Sequence, residues 1–308
     1  MTEKPPTPTP KTILITGGTS GLGAATAIAL ARLLPPGSRI YLAGRNATAA
    51  ASLITSTSPE KPPTTQLIFL PLDLTSLPSI RSAALHLLAL EPYLDVLLAN
   101  AGIAAVAPGA PTPAGHEAHL GTNHVGHALL IRLLLPLLQA APDGGRVVSV
   151  TSFAFRFARW GVPLTAAAGG GGGGGWLVDW MMVWRWLRYA ESKLANVVYA
   201  RELARRWPGV VSVSVCPGFV ETEMVRGMRL CDRVGTRVMG WLEGGMVSAE
   251  VGARNQVWAA MVDRGELTSG GVYEPVGKEM EDLGAAAVDE ELGERLWEWT
   301  EGEIKEWL

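Results

Sequence analysis

The sequence predicts an α/β fold in a single domain, with a doubly wound parallel sheet of about seven strands and helices on both faces. Strand-like and helix-like stretches alternate along nearly the whole chain, which is typical of parallel strands joined by helical crossovers. The strand-like stretches are apolar at consecutive positions, which fits strands buried on both faces. The chain has 308 residues, of which 48% are hydrophobic and 18% charged, so a substantial core can form.

The predicted elements are separated by turn residues. The first strand, Thr12–Thr16, runs into a glycine-rich turn, and an alanine-rich helix follows until Pro35 and Pro36 stop it. Later strands are predicted at 39–43, 66–74, 94–100, 146–152, 210–218 and near 271–275. Later helices are predicted at 79–90, 114–139, 189–207, 248–263 and at the acidic, tryptophan-bearing C-terminus.

Composition excludes several classes of protein. A net charge of −3 and a pI of about 6.0 provide no basic surface for nucleic acid or an anionic membrane. Cys216 and Cys231 have no metal-ligand spacing and form no disulfide framework, which favours a reducing, cytoplasmic compartment. Residues 1–10 are polar and proline-rich and predict a disordered tail before one domain at 11–308. No segment reaches about 18 uninterrupted apolar residues, so no membrane-spanning helix is predicted.

The turn "TGGTSGLG" at 16–23 predicts a phosphate site. Gly17, Gly21 and Gly23 let the backbone turn tightly and approach a pyrophosphate, and the following helix N-terminus offers free N–H groups. Its position in the first β-turn-α unit favours a dinucleotide-binding domain of the Rossmann type, although an ordinary glycine turn is the alternative. The predicted contacts are Gly17, Thr19, Ser20, Gly21, Leu22 and Gly23.

The end of the second strand predicts which dinucleotide binds. A carboxylate there would bind the adenosine 2′-hydroxyl, whereas an arginine would accommodate a 2′-phosphate. The sequence reads "YLAGRN", so Arg45 favours NADP(H) over NAD(H); the alternative is a solvated charge at a helix start. Asp73 and Leu74 follow the third strand and are expected near the adenine. Asn100, Ala101 and Gly102 end the fourth strand, where the backbone approaches the cofactor.

Tyr189 and Lys193 are predicted to act together in catalysis, because they lie one turn apart on the same face of a helix. A free tyrosine has a pKa near ~10, and a nearby ammonium together with a positive nicotinamide ring would lower it. Tyr189 would then exchange a proton with a carbonyl or alcohol oxygen. The Ser152 hydroxyl, at the end of the fifth strand, would hold the same oxygen.

These motifs together resemble the short-chain dehydrogenase/reductase family, in its retinol-dehydrogenase-like and carbonyl-reductase-like branch. The resemblance covers roughly residues 11 to 275. The matching pieces, in family order, are "TGGTSGLG", Asp73, "NAG" at 100–102, "TNHVGH" at 122–127, "RVVSVTS" ending at Ser152, "YAESK" and "CPGFVET".

The resemblance implies an NADP(H)-dependent oxidoreductase, an alcohol/carbonyl enzyme of class EC 1.1.1.-, that moves a hydride between the nicotinamide and an apolar small molecule. Reduction of a ketone or aldehyde is the favoured direction. The alternative is a member without redox activity, a cofactor-binding sensor, scaffold or pericyclase-like protein that keeps the fold. Homodimers and homotetramers are both common in the family.

The resemblance also implies roles for matched residues. The catalytic residues would be Asn123, Ser152, Tyr189 and Lys193, with Asn123 holding a water that links Lys193 to solvent. Lys193 would also bind the nicotinamide ribose. The nicotinamide itself would lie among Pro217, Gly218, Val220 and Thr222.

Two segments border the expected substrate cleft. An insertion at 156–188 joins a glycine tract, 169–175, to a tryptophan-rich block whose Trp176, Trp180 and Trp184 recur at helical spacing. We expect this block to be a wall or lid of the cleft; the alternatives are core packing and contact with a membrane surface or a partner. Residues 223–248 are expected to form a substrate loop, either a lid or an exposed flexible loop.

Four clustered histidines, His116, His119, His124 and His127, raise the question of a metal site. They face several sides of one predicted helix and have no obvious carboxylate or cysteine partners. No metal site is predicted.

Overall fold

The computed structural model describes residues 9–57, 65–106, 111–159, 161–164, 182–221, 230–242 and 245–308. Within these ranges the chain forms a parallel sheet with helices on both faces, so the predicted fold class is confirmed. Several predictions lie outside the described residues: most of the N-terminal tail, the glycine tract, Trp176, Trp180, Thr222 and much of the substrate loop.

The sheet has seven strands in the order β3-β2-β1-β4-β5-β6-β7, and every neighbouring pair is parallel. The chain reverses its direction of winding between β1 and β4, so the carboxyl ends of these strands open a crevice in which α/β proteins bind ligands. The strands are β1 (Thr12–Thr16), β2 (Ser38–Gly44), β3 (Thr65–Pro71), β4 (Val96–Ala99), β5 (Arg146–Val150), β6 (Val211–Val215) and β7 (Val272–Tyr273).

The helices form a layer on each face of the sheet. The helices are α1 (Gly21–Leu33), α2 (Ala47–Thr57), α3 (Leu77–Leu90), α4 (Ala118–Leu120), α5 (Gly126–Gln139), α6 (Met182–Arg206), α7 (Leu230–Leu242), α8 (Ala249–Met261), α9 (Ala285–Val288) and α10 (Glu290–Ile304). One core cluster packs α3, α5, α6 and α10 against the sheet, and the other packs α1 and α8 against the opposite face. No helix among the described residues is both long and apolar enough to cross a membrane.

Two helices near the expected site differ from their predicted form. The helix predicted at 114–139 begins only at Ala118, and a π-helical turn at Gly121–Val125 separates α4 from α5. Such single turns are rare inside α-helices and occur often at functional sites, and the prediction of one continuous helix did not include it. Helix α6 begins at Met182 rather than near Tyr189, so its first two turns come from the tryptophan-rich block.

The C-terminal helix α10 docks on α5 and α6. Trp297 stacks on Tyr199 with ring centroids 5.0 Å apart, and Arg132 pairs with Glu301 at 2.8 Å. The aromatic contact fixes the helix against the body of the domain, directly behind the helix that carries Tyr189 and Lys193.

Candidate active site

A cavity of about 940 Å³ opens at the carboxyl ends of the central strands. It brings together Ser152, Tyr189 and Lys193 with every cofactor contact that was predicted within the described residues. These contacts are Gly17, Thr19, Ser20, Gly21, Leu22, Gly23, Arg45, Asp73, Leu74, Asn100, Ala101, Gly102, Pro217, Gly218 and Val220. The remaining predicted contact, Thr222, lies outside the described residues.

The glycine turn has the backbone that a phosphate site requires. Gly17 and Gly21 have φ of +64° and +51°, a region that side chains disfavour. A Cβ on Gly23 would lie 2.3 Å from the Gly17 carbonyl oxygen, so the turn closes only with glycine there. Ser20 caps α1 without a side-chain hydrogen bond, which leaves the N–H groups of the first turn available. The turn therefore fits a pyrophosphate.

Arg45 follows the last residue of β2 at the rim of the cavity. Its side chain is exposed and makes no hydrogen bond or ion pair with any other described residue. Asn46, which sequence analysis did not select, lines the cavity beside it. The structure thus presents an exposed cation at the end of β2, beside the cavity.

The loop after β4 lies between the glycine turn and the predicted catalytic residues Asn123 and Lys193. The Asn100 side chain donates to the Thr16 carbonyl at 2.8 Å and accepts from Gln256 at 3.1 Å. A Cβ on Gly102 would lie 3.3 Å from the Asn123 side-chain oxygen and 3.4 Å from Lys193 Nζ. A larger residue at 102 would press on both groups.

Tyr189 and Lys193 are buried at the inner end of the cavity. The Tyr189 and Ser152 side chains share a hydrogen bond, and Lys193 Nζ donates to the Val150 carbonyl at 2.8 Å. Burial raises the pKa of Tyr189 to about 12 even though the Ser152 hydrogen bond opposes this, and burial lowers the pKa of Lys193 to about 8. The chain's own groups therefore keep Tyr189 protonated, and a lowered tyrosine pKa would need the charge of a bound nicotinamide.

Asn123 lies behind the cavity wall and is fully buried. Its side-chain oxygen accepts from the Ile103 N–H at 2.8 Å, and its amide donates to the Ile103 carbonyl at 3.0 Å and to Ser192 Oγ at 2.9 Å. The asparagine thus ties the loop after β4 to helix α6. Its role in holding a water stays a prediction.

Aromatic residues form the cavity wall on the substrate side, among them Phe153, Phe157, Trp186 and Phe219. The spacing of the tryptophan-rich block predicted Trp184 at this wall instead, but the Arg188 guanidinium covers the Trp184 ring at 4.7 Å, and Trp184 does not line the cavity. Trp186 lies three positions before Tyr189 and so shares its helix face.

The four clustered histidines have separate partners. The pairs are His116 with Glu303, His119 with Glu117, His124 with Thr300 and His127 with Thr16, at 2.8, 2.7, 2.8 and 2.8 Å. Within the described ranges no three histidine, cysteine or acidic side chains converge as metal ligands. The cluster supports the packing of α4, α5 and α10.

Comparison with known families decides which family the chain belongs to. The sequence model of the family described as short chain dehydrogenase matches residues 11–171, just over half of the chain. The chain is a short-chain dehydrogenase.

Curated relatives match this short-chain dehydrogenase along almost its whole length. It is 33% identical over 296 residues to human retinol dehydrogenase 11, covering 94% of this chain and 84% of the relative. It is 37% identical over 300 residues to mouse polyprenol dehydrogenase, covering 95% and 83%. These likenesses assign it to a family of oxidoreductases.

A solved structure agrees with this short-chain dehydrogenase at the level of the fold. The NADPH-bound carbonyl reductase from chicken fatty liver superposes with a TM-score of 0.63 at 21% identity. The superposition covers 88% of this chain and 98% of the reductase.

Proposed function

We propose that this short-chain dehydrogenase is an NADP(H)-dependent oxidoreductase that reduces a carbonyl on an apolar small molecule. The observation that carries the proposal is the layout of one cavity. Ser152, Tyr189 and Lys193 lie at its inner end, and the glycine turn and Arg45 lie along its other side.

The cofactor side of the cavity supports a dinucleotide carrying an extra phosphate. The glycine turn and the free N–H groups of α1 would hold the pyrophosphate, and Arg45 would pair with a 2′-phosphate. When bound, the nicotinamide supplies or accepts the hydride.

The predicted catalytic residues favour reduction of a carbonyl over oxidation of an alcohol. Because burial raises the pKa of Tyr189 to about 12, its hydroxyl keeps its proton at neutral pH and can donate it as a carbonyl oxygen gains negative charge. On substrate binding, the Ser152 hydroxyl beside Tyr189 would turn and donate a second hydrogen bond to that oxygen. Lys193, held by the Val150 carbonyl, keeps a cationic donor near the same point.

The substrate side supports an apolar ligand. Aromatic rings of Phe153, Phe157 and Trp186 line the cavity, where they offer dispersion and stacking contacts but few polar partners, and the Trp186 ring meets that of Tyr189. The names of the two relatives, retinol and polyprenol dehydrogenases, point to isoprenoid-like alcohols and carbonyls for those proteins. We extend only the apolar character to this chain. The free, buried Cys216 is compatible with the reducing cytoplasm that we favour as its compartment.

A turnover assay against a panel of carbonyls tests the proposal, with NADPH and NADH compared. Tyr189→Phe should lower kcat by about 100-fold or more while changing the Kd for NADPH by less than about threefold. Tyr199→Phe is the matched control, because it removes a buried hydroxyl on the same helix that has no hydrogen-bond partner in the described part of the chain. It should retain turnover.

Three outcomes would contradict the proposal. Undiminished turnover in Tyr189→Phe would remove the assigned proton donor. Faster turnover with NADH would refute the role of Arg45. Tight NADPH binding with no oxidation by any carbonyl would favour a cofactor-binding protein without redox activity.

A further inference from the structure

The two segments that border the substrate side are joined by a buried ion pair. Arg185, in the first turn of α6, donates through Nη2 to both carboxylate oxygens of Asp232 in α7, at 3.0 and 2.8 Å. The two side chains are 5% and 0% exposed. The pair therefore fixes the start of the helix that carries Tyr189 against the helix that follows β6.

The same carboxylate holds an aromatic wall of the cavity. Trp186 Nε1 donates to Asp232 Oδ1 at 3.2 Å. The Trp186 ring meets the Tyr189 ring edge to face, with centroids 5.8 Å apart and planes at 89°. Gly235, one turn beyond Asp232, lines the cavity together with Trp186.

A buried ion pair of this kind contributes little net stability to the fold. Removing two charges from water costs several kcal/mol, and apolar replacements of buried ion pairs are often as stable or more so. Arg185 Nε is buried without a hydrogen-bond partner among the described residues, which adds to the cost. The ion pair instead fixes the orientation of the Asp232 side chain, because charge-assisted hydrogen bonds hold the angle and depth of its carboxylate.

We propose that Asp232, held by Arg185, is a positioning residue that fixes the Trp186 indole as the size-limiting wall of the substrate site. With the indole held edge-on to Tyr189, narrow, unbranched chains reach the proton donor, and carbonyls with bulky groups on both sides are rejected. The inference rests on the proposed carbonyl reduction and names its substrate class: slender apolar carbonyl compounds. Neither Arg185 nor Asp232 lines the cavity, so both act through Trp186.

The decisive variant is Arg185→Met/Asp232→Leu, which replaces the ion pair by apolar side chains of similar volume and leaves Trp186 itself unsubstituted. The matched control is Arg132→Met/Glu301→Leu, which replaces the pair between α5 and α10. The substrates are an unbranched aldehyde and a branched ketone of equal carbon number. In the first variant the ratio of kcat/KM for the branched to the unbranched substrate should rise about tenfold, through KM rather than kcat. The control ratio and the Kd for NADPH should stay within twofold of wild type.

A second readout is independent of turnover. In protein labelled with 5-fluorotryptophan, the ¹⁹F resonance of Trp186 is assigned by its loss in Trp186→Phe. Removing the ion pair should move or broaden that resonance, while the control variant leaves it unchanged. Asp232→Asn, which preserves the shape of the side chain, serves in the same way if the double variant does not fold.

The outcomes separate the two proposals. Wild-type protein that turns over no carbonyl contradicts the proposed function, and the ¹⁹F resonance still reports whether Asp232 positions Trp186. An unmoved Trp186 resonance in folded protein, or a selectivity ratio within twofold of wild type, overturns the positioning role.

Discussion

The imidazole of His127 lies 2.8 Å from the Thr16 hydroxyl at the end of β1, and its other ring nitrogen lies 2.9 Å from the Asn123 carbonyl. A carbonyl only accepts, so Nδ1 carries the proton and Nε2 accepts from Thr16. The Thr16 oxygen in turn accepts the N–H groups of Asn100 and Ala101, at 2.9 Å each. A neutral histidine thus connects the π-helical turn to the cofactor loop.

Acid should therefore destabilise the protein through its buried histidines. Burial lowers the pKa of His127 to about 4 and of His124 to about 3, from 6.5. Because the folded-state pKa lies below the unfolded one, the contribution of each histidine is present above pH 6.5 and is lost as the pH falls toward 4. The loss is about 1.4 kcal/mol per pH unit for each group.

Urea unfolding between pH 7 and pH 4.5 measures this loss. His127→Gln should show a shallower fall in the free energy of unfolding than wild type, since it lacks one of the titrating groups. The exposed His86→Gln is the control and should follow the wild-type curve. Parallel curves for His127→Gln and wild type would contradict the assignment of a neutral, buried imidazole.

Gly23→Ala should weaken cofactor binding. The added methyl would lie 2.3 Å from the Gly17 carbonyl oxygen and 2.6 Å from Asn100 Nδ2, so the turn must open. We expect the Kd for NADPH to rise at least about tenfold, because the N–H groups of the turn no longer converge. A fluorescence titration with NADPH measures it. Gly302→Ala is the control, since no atom lies within 4 Å of its added methyl. Equal Kd values for the two variants would contradict the phosphate site.

Arg45→Ala should change the cofactor preference without harming the fold. Loss of one charge-assisted contact to a 2′-phosphate should raise the KM for NADPH roughly 10- to 100-fold and leave the KM for NADH unchanged. Steady-state kinetics with both cofactors measure the ratio. Arg32→Ala, an exposed arginine in the last turn of α1, is the control. An unchanged ratio of the KM values for NADPH and NADH in Arg45→Ala would show that Arg45 is a solvated surface charge with no role in cofactor preference.

Glu191→Gln should stabilise the protein above neutral pH. Burial raises the pKa of Glu191 to about 7 from 4.5, although its ion pair with Arg188 at 3.2 Å opposes this. The folded-state pKa lies above the unfolded one, so the folded state binds the proton more tightly, and wild type loses stability as the pH rises from 4.5 through 7.

Unfolding free energies measured at pH 5 and pH 8 distinguish the Glu191 carboxyl from the buried histidines, because the histidines stabilise the protein as the pH rises and Glu191 destabilises it. Relative to wild type, Glu191→Gln should gain on the order of 1–3 kcal/mol between the two pH values. The exposed Glu298→Gln should gain nothing. A constant difference between Glu191→Gln and wild type would show that the carboxylate is not penalised by burial.

Much of the site was accessible from sequence because its residues follow local rules. A glycine turn after the first strand, Arg45 after the second, Asn100 after the fourth and Ser152 after the fifth all lie at strand ends. Parallel topology brings such positions together without any knowledge of side-chain packing.

Trp186 and Asp232 were not predicted, because their importance arises from contacts between segments 46 positions apart in the chain. Asn123 was selected by its sequence motif, but its hydrogen bonds to Ile103 and Ser192 join separate segments of the chain and could not be predicted.

The sequence by itself determined the α/β class and the residues that meet at the carboxyl edge of the sheet, because hydrophobic period and turn chemistry are local properties. Only the tertiary structure decided which tryptophan faces the cleft, that burial keeps Tyr189 protonated, and that Arg185 and Asp232 join the two variable segments. Desolvation and contacts between distant segments depend on the surroundings of each group, and those surroundings exist only once the chain has folded.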